Sequence, residues 1–156
     1  MNPELFIPVG IPGAGKSTYI DKYKKDTHTI LCLDDFRLAA GSTFNPNIDK
    51  LLQGMYELVG RAIMIRGQNI ALDSTNVSYY ITKRWIDYAK EYNYDTTIVL
   101  MNIDMETCEK RQTKNVGTEK MYRFANQMQD LTYRIHELGA DKILEVDKEG
   151  ELKRWD

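Results

Sequence analysis

Cysteine and histidine are both scarce in this chain, two of each among 156 residues. Cys32, Cys108, His28 and His136 stand singly, so neither a disulfide framework nor a clustered zinc site is expected. The two cysteines read as small buried hydrophobes and the two histidines as surface or structural residues. Proline numbers only four, and no Pro/Gly/Ser-rich tract divides the chain, which points to one domain over residues 1–156. No apolar run approaches the ~20 residues that span a bilayer, and no signal peptide opens the sequence. A cytoplasmic setting without a membrane partner is the expectation. A basic excess is also lacking: 21 Lys and Arg stand against 23 Asp and Glu, a net charge of −2. That balance argues against coating nucleic acid non-specifically but leaves room for a local basic groove. Internal repeats, low-complexity tracts and the Asn-Lys-x-Asp guanine-reading signature are absent as well. The nearest fragment to the last is Met101-Asn102-Ile103-Asp104, so a GTPase switch is not expected.

What the chain does have is Gly10-Ile11-Pro12-Gly13-Ala14-Gly15-Lys16-Ser17-Thr18, directly after the apolar run Leu5-Phe6-Ile7-Pro8-Val9. Glycine, four residues, then Gly15-Lys16-Ser17 is the phosphate-binding loop spacing. The glycines let successive N–H groups turn inward as an anion nest, and the helix that follows adds its partly positive N-terminus. Pro12 to Thr18 are the expected contacts to a nucleotide. Lys16 would reach the β- and γ-phosphates of ATP or another NTP, and Ser17 would be a Mg2+ ligand.

The rest of the chain alternates strands and helices. Helices are expected over Ser17–Lys25, Ile48–Ile63, from Ser78 to Tyr92, from Asp104 to Arg111 or Gln112, and up to Gly139. Strands are expected at Thr29–Leu33, a continuous apolar run that reads as a buried parallel strand, and at Ile70–Leu72, Thr96–Met101 and Ile143–Val146, with residues 41–46 as a loop and Asp147–Gly150 turning into Leu152 and Trp155. Ile48, Leu51, Leu52, Met55, Leu58, Val59, Ala62 and Ile63 fall on one helical face and read as core packing. The implied fold class is α/β: a P-loop NTPase three-layer sandwich, its five-stranded, mainly parallel sheet covered by helices on both faces, with a small helical lid at about residues 112–120.

In such a sheet ligands gather beyond the carboxyl ends of the strands. Gly10, Asp34 and Asp73 are expected along that rim. Asp73 ends an apolar strand like an acid that holds magnesium directly or through water. Of Asp34 and Asp35, one would accept a proton from an attacking hydroxyl and the other would cap the short helix carrying Arg37; spacing alone leaves the assignment open. The run Glu109 to Arg123 brackets the expected lid, with Arg111 placed to neutralise charge on a transferring phosphoryl group.

These motifs resemble the P-loop kinases of the 5′-polynucleotide kinase type, notably the kinase half of the phage polynucleotide kinase–phosphatases. The anchors are the loop itself, Leu33-Asp34-Asp35-Phe36-Arg37, Asp73-Ser74-Thr75-Asn76 and Lys110-Arg111-Gln112. The resemblance implies Asp34 as general base for a 5′-hydroxyl, Arg37 on substrate phosphate, Thr75 and Asn76 near the acceptor, and Arg111 as the first lid arginine. The family's second lid arginine falls on Asn115, beside Lys114, and no phosphatase domain lies in these residues. The related small AAA-type predicted kinases, whose acceptors are diverse, fit equally well. The expected activity is therefore transfer of the ATP γ-phosphate to a hydroxyl, with a 5′-hydroxyl nucleic acid or nucleotide end as acceptor. A kinase for a small metabolite or nucleoside is the alternative. From another class, a nucleotide-binding regulatory module with little turnover is the other.

Overall fold

Glu4–Val9 forms the central strand β1, flanked by two parallel neighbours, in the computed structural model, which describes residues 1–41 and 45–155. The elements that follow are α1 (Lys16–Tyr23), β2 (Thr29–Cys32), α2 (Leu33–Ala39), α3 (Pro46–Ile65), β3 (Ile70–Asp73) and α4 (Tyr79–Glu91). Then come β4 (Asp95–Met101), α5 (Met105–Arg111), α6 (Thr118–Tyr133), a 3-10 turn (Ile135–Leu138), β5 (Lys142–Val146) and β6 (Leu152–Arg154). The strand order is β2-β3-β1-β4-β5-β6, parallel except for β6, which pairs antiparallel with β5. The expected turn at residues 147–150 thus leads into a sixth strand. Of the expected loop at 41–46, residues 42–44 lie outside the described residues.

The pleat splits the core in two. Leu5, Ile7 and Val9 of β1 face one cluster with Tyr56 and Met64 of α3 and Trp85, Ile86 and Ala89 of α4. Phe6, between them, faces the other with Ile20 of α1, Cys108 of α5 and Met121 of α6. Helices therefore cover both faces, the arrangement a parallel sheet requires.

Two expectations about burial are corrected. The run Thr29–Leu33 is not a fully buried strand: β2 is an edge strand, Ile30 is 36% exposed, and Leu33 already belongs to α2. With one neighbour instead of two, the strand leaves one edge unpaired. Cys32, at its end, is accordingly only half-buried, whereas Cys108 is buried; both are free thiols. The core face of α3 is also different from the expected one. Leu52, Tyr56, Glu57, Gly60 and Met64 are buried, while Leu51, Met55, Leu58 and Val59 are exposed. Gly60 decides this, because its missing side chain lets the ring of Trp85 lie against the helix backbone. Glu57 tolerates burial because Arg84 of α4 binds both its oxygens at 2.9 Å.

A proline in a central strand is unusual because it offers no N–H. Here the ladder from β1 to β3 ends at Phe6–Ala71, two residues before Pro8. Asn76 takes over, its Nδ2 donating to the carbonyls of Pro8 (2.7 Å), Leu72 (3.0 Å) and Ser74 (3.0 Å). The two strands thus part at their carboxyl ends, next to the glycine-rich loop.

Candidate active site

The loop between β1 and α1 is shaped by glycine. Gly13 and Gly15 have φ of 88° and 98°, the left-handed region that favours residues without a Cβ. A Cβ on Gly13 would lie 2.2 Å from the Cys108 carbonyl oxygen, so α5 backs directly onto the loop. Gly10 N donates to Thr75 O at 3.0 Å and ties the loop to the turn after β3. Gly15 is the N-cap of α1, and no side chain caps that end, which leaves its first N–H groups for an anion. Lys16 folds back over the loop, with Nζ donating to Gly10 O at 2.6 Å and Ile11 O at 2.9 Å. Burial pushes its ammonium down to about 8; the charge of Lys114 adds to this, and Asp73 and Asp34 oppose it.

Ser17 Oγ donates to Asp73 at 3.0 and 3.1 Å to the two carboxylate oxygens. A hydroxyl and one carboxylate side by side below a phosphate nest suit Mg2+, which keeps several waters and takes its remaining ligands from substrate phosphate. No cluster of three or more His, Cys, Asp or Glu suited to a metal occurs among the described residues, and an ion held in this way needs none.

Across the cleft stands α2. Asp34 lines the cleft and Asp35 is exposed to solvent away from it. Neither caps the helix: its N-cap is Cys32, without a side-chain bond. Asp34 Oδ1 accepts from Arg37 Nη1 at 2.8 Å, and Oδ2 is paired with Lys114 Nζ. Burial pushes the Asp34 carboxyl up, but the bonds and charges of Lys114 and Arg37 outweigh it and hold it below the usual carboxylate range. Arg37 is gripped from its other edge by Asp49, Nε to Oδ1 at 2.8 Å and Nη2 to Oδ2 at 3.3 Å. Lys114 is presented by the loop between α5 and α6. Gln112 braces that loop, donating to Val116 O at 2.7 Å and accepting from Val116 N at 2.8 Å.

A single cleft of about 1550 Å³ takes in the loop from Pro12 to Thr18 together with Asp34, Arg37, Asp73, Thr75, Asn76, Arg111 and Lys114. Of the residues singled out from the sequence, these reach it, while Asp35 and Gly10 do not line it. Asn76 does so as a brace, since its amide nitrogen is committed to three backbone carbonyls. Eight Lys and Arg against five Asp and Glu line the cleft, in a chain that is acidic overall. Asp49 and Gln53 were not visible as site residues, because they come from a helix whose facing only packing determines; Tyr56 and Trp85 lie behind them, buried in the core. The indole N–H of Trp85 is buried and finds no acceptor among the described residues. Val146 to Gly150 also line the cleft. They end and follow the parallel strand β5, so the carboxyl-end rule that located Asp73 applies to them equally.

A family model described as an AAA domain matches residues 5–137. No match was found among curated proteins. Among solved structures, a chain of the Pnkp1/Rnl/Hen1 RNA repair complex superposes with a TM-score of 0.75 at 24% identity, over 85% of this chain and 46% of that one. The present chain thus spans less than half the length of that relative. A chain of the AvrRxo1-ORF1:-ORF2 complex with ATP gives 0.71 at 15% identity, over 98% and 57% of the two chains. A candidate kinase from Chloroflexus aurantiacus gives 0.64 at 14% identity, over 94% and 89%. At these identities the likenesses establish the fold alone, the α/β sandwich of P-loop NTPases.

Proposed function

Because this chain belongs to the AAA-domain family of P-loop kinase-like proteins, we propose that residues 1–156 act as one ATP- and Mg2+-dependent kinase domain with a lid at about 112–120, and that its acceptor is the 5′-hydroxyl end of a polynucleotide or nucleotide. The observation that carries this reading is Asp34, a carboxylate held between two cations on the wall facing the phosphate loop. A module that only binds nucleotide has no use for such a group.

In this reading the triphosphate lies in the nest of residues 12–18, and Lys16 leaves the Gly10 and Ile11 carbonyls for the β- and γ-phosphates. Ser17 and Asp73 hold the magnesium ion. Asp34 accepts the proton of the attacking hydroxyl. Its depressed pKa makes it a weak base, which is adequate where the phosphoryl transition state is loose and makes small demands on proton removal. Lys114 passes from Asp34 to the transferring group, supplying a point charge where the related kinases carry a second arginine, and Arg111 supplies the other. Thr75, on the turn after β3, seats the acceptor. The basic excess of the cleft suits an acceptor that carries phosphate.

Incubation with γ-labelled ATP and a panel of 5′-hydroxyl oligonucleotides, nucleosides and sugars tests this. Label should appear on the 5′-hydroxyl oligonucleotide and be blocked when that end is already phosphorylated. One observation favours the uncharged acceptor: Arg37 is already satisfied by Asp34 and Asp49. Salt separates the two readings. A single-stranded acceptor should lose log affinity against log salt with a slope of about −0.7 per phosphate held, and a sugar or nucleoside should show almost none.

A further inference from the structure

Helix α3 has two apolar faces. One, through Leu52, Tyr56, Gly60 and Met64, is buried in the core. The other runs through Ile48, Leu51, Met55, Leu58, Ala62 and Ile65, with spacings that alternate between three and four residues. On this face Leu51 is 64% exposed, Met55 47%, Leu58 66% and Ile65 71%, with Val59 beside them at 38%. Together they expose roughly 500 Å² of apolar surface, near the upper end of the largest patch on an ordinary monomer. Alternating three- and four-residue spacing is the signature of a seam that receives another helix knobs-into-holes.

We propose that α3 is a self-association helix, against which a second copy of the chain packs its own α3 antiparallel about a two-fold axis between Met55 and Leu58. The seam is self-complementary in that sense. Leu51 meets the partner's Ala62, a large side chain against a small one, and Ile48 meets the partner's Ile65. Gly54, flanking the centre, has open space where its Cβ would be, so the two backbones can approach there. The side-chain sizes favour this sense over a parallel pair, which would set Leu51 against Leu51 and Ala62 against Ala62 instead of large against small. The Arg61 guanidinium lies over the Tyr88 ring of α4, 4.7 Å from its centre, and so is drawn toward α4. Two such faces bring together about 1,000 Å² of apolar surface, the lower bound of a specific interface before polar flanks are added. The inference does not rest on the kinase reading. It bears on the site nonetheless, because Asp49 and Gln53 of the same helix line the cleft.

Sedimentation equilibrium of the whole chain should give twice the 18.1 kDa of one copy at about 100 μM and dissociation on dilution. Leu58→Glu should weaken association by more than about 100-fold while the melting temperature of the monomer holds. Tyr133→Glu, at a site 91% exposed on α6, should leave association unchanged. Register is read by oxidative cross-linking in a Cys32→Ser background. Met55→Cys places two thiols about 4.5 Å apart along the axis, and Leu51→Cys about 16 Å apart, at 1.5 Å per residue. Disulfide-linked dimer from Met55→Cys alone is the expected result. A monomer at about 100 μM, a dimer indifferent to Leu58→Glu, or equal cross-linking through Leu51→Cys would overturn the proposal.

Discussion

Replacing Gly60 by alanine sets two effects of opposite sign against each other. Gly60 lies inside α3, where alanine is favoured over glycine by about 0.8–1 kcal/mol, so propensity alone predicts a more stable protein. The packing predicts the reverse. A Cβ there would lie 2.4 Å from Trp85 Cη2, 2.5 Å from Cζ3 and 3.3 Å from Leu31 Cδ1. Trp85 is 1% exposed and wedged edge-on between Tyr56 and Tyr88, with ring centroids 5.4 and 6.1 Å away, so it cannot slide aside. Overpacking of this kind costs about 1–3 kcal/mol, and two ring contacts inside 3 Å put it at the upper end. The net loss is then about 2 kcal/mol, or a fall in melting temperature of about 4–8 °C for a chain of this length. Far-UV circular dichroism at low micromolar concentration measures it. Gly54→Ala is the control: nothing lies within 4 Å of its Cβ, and it should gain about 1 kcal/mol. Adding Trp85→Phe to Gly60→Ala should cost less than the sum of the two single changes. A Gly60→Ala protein that melts at or above the parent refutes the account of how α3 seats on the core.

Other perturbations test the remaining parts. Lys16→Ala should lower turnover by about 10²–10³ in a folded protein, as the loss of one electrostatic contact to the transferring group does. Burial holds the Lys16 ammonium at about 8, so nucleotide affinity measured by titration should weaken as pH rises above that value, by up to about tenfold per unit, and Lys16→Met should abolish the dependence. Glu4 is held at about 2, chiefly by its bond to His28, against the upward push of burial and with help from Lys24 and Thr97. Because the folded value lies below the unfolded 4.5, this stabilisation is complete above about pH 4.5 and is lost as pH falls toward 2. Glu4→Gln should therefore cost about 1–2 kcal/mol at neutral pH, allowing for the exposed part of the side chain, and flatten the acid limb of a stability profile.

Motifs fixed by backbone chemistry were legible in the sequence, and those fixed by packing were not. The glycine spacing located the phosphate loop because left-handed φ and close approach are local demands. Asp34 and Asp73 were found because a parallel sheet gathers ligands at one rim. The facing of α3 was misread because its exposed apolar residues outnumber its buried ones, and a hydrophobic count favours the larger set. Asp49 was invisible because it joins Arg37 across twelve positions and a change of helix. Asn76 was marked as an acceptor contact, yet its amide braces the gap that Pro8 opens between β1 and β3. That gap arises from a pairing with no counterpart in linear spacing. The edge position of β2 belongs to the strand order, which an apolar run of four residues does not encode.

The central claim is that Asp34 serves a hydroxyl acceptor opposite a bound ATP. Its direct test is single-turnover transfer from labelled ATP to a 5′-hydroxyl oligonucleotide by the parent chain and by Asp34→Asn, with ATP affinity titrated on the same two proteins. The account predicts transfer lowered by about 10²–10⁴ in Asp34→Asn with ATP affinity nearly unchanged. Undiminished transfer, or a loss of ATP affinity that accounts for the whole effect, would contradict it.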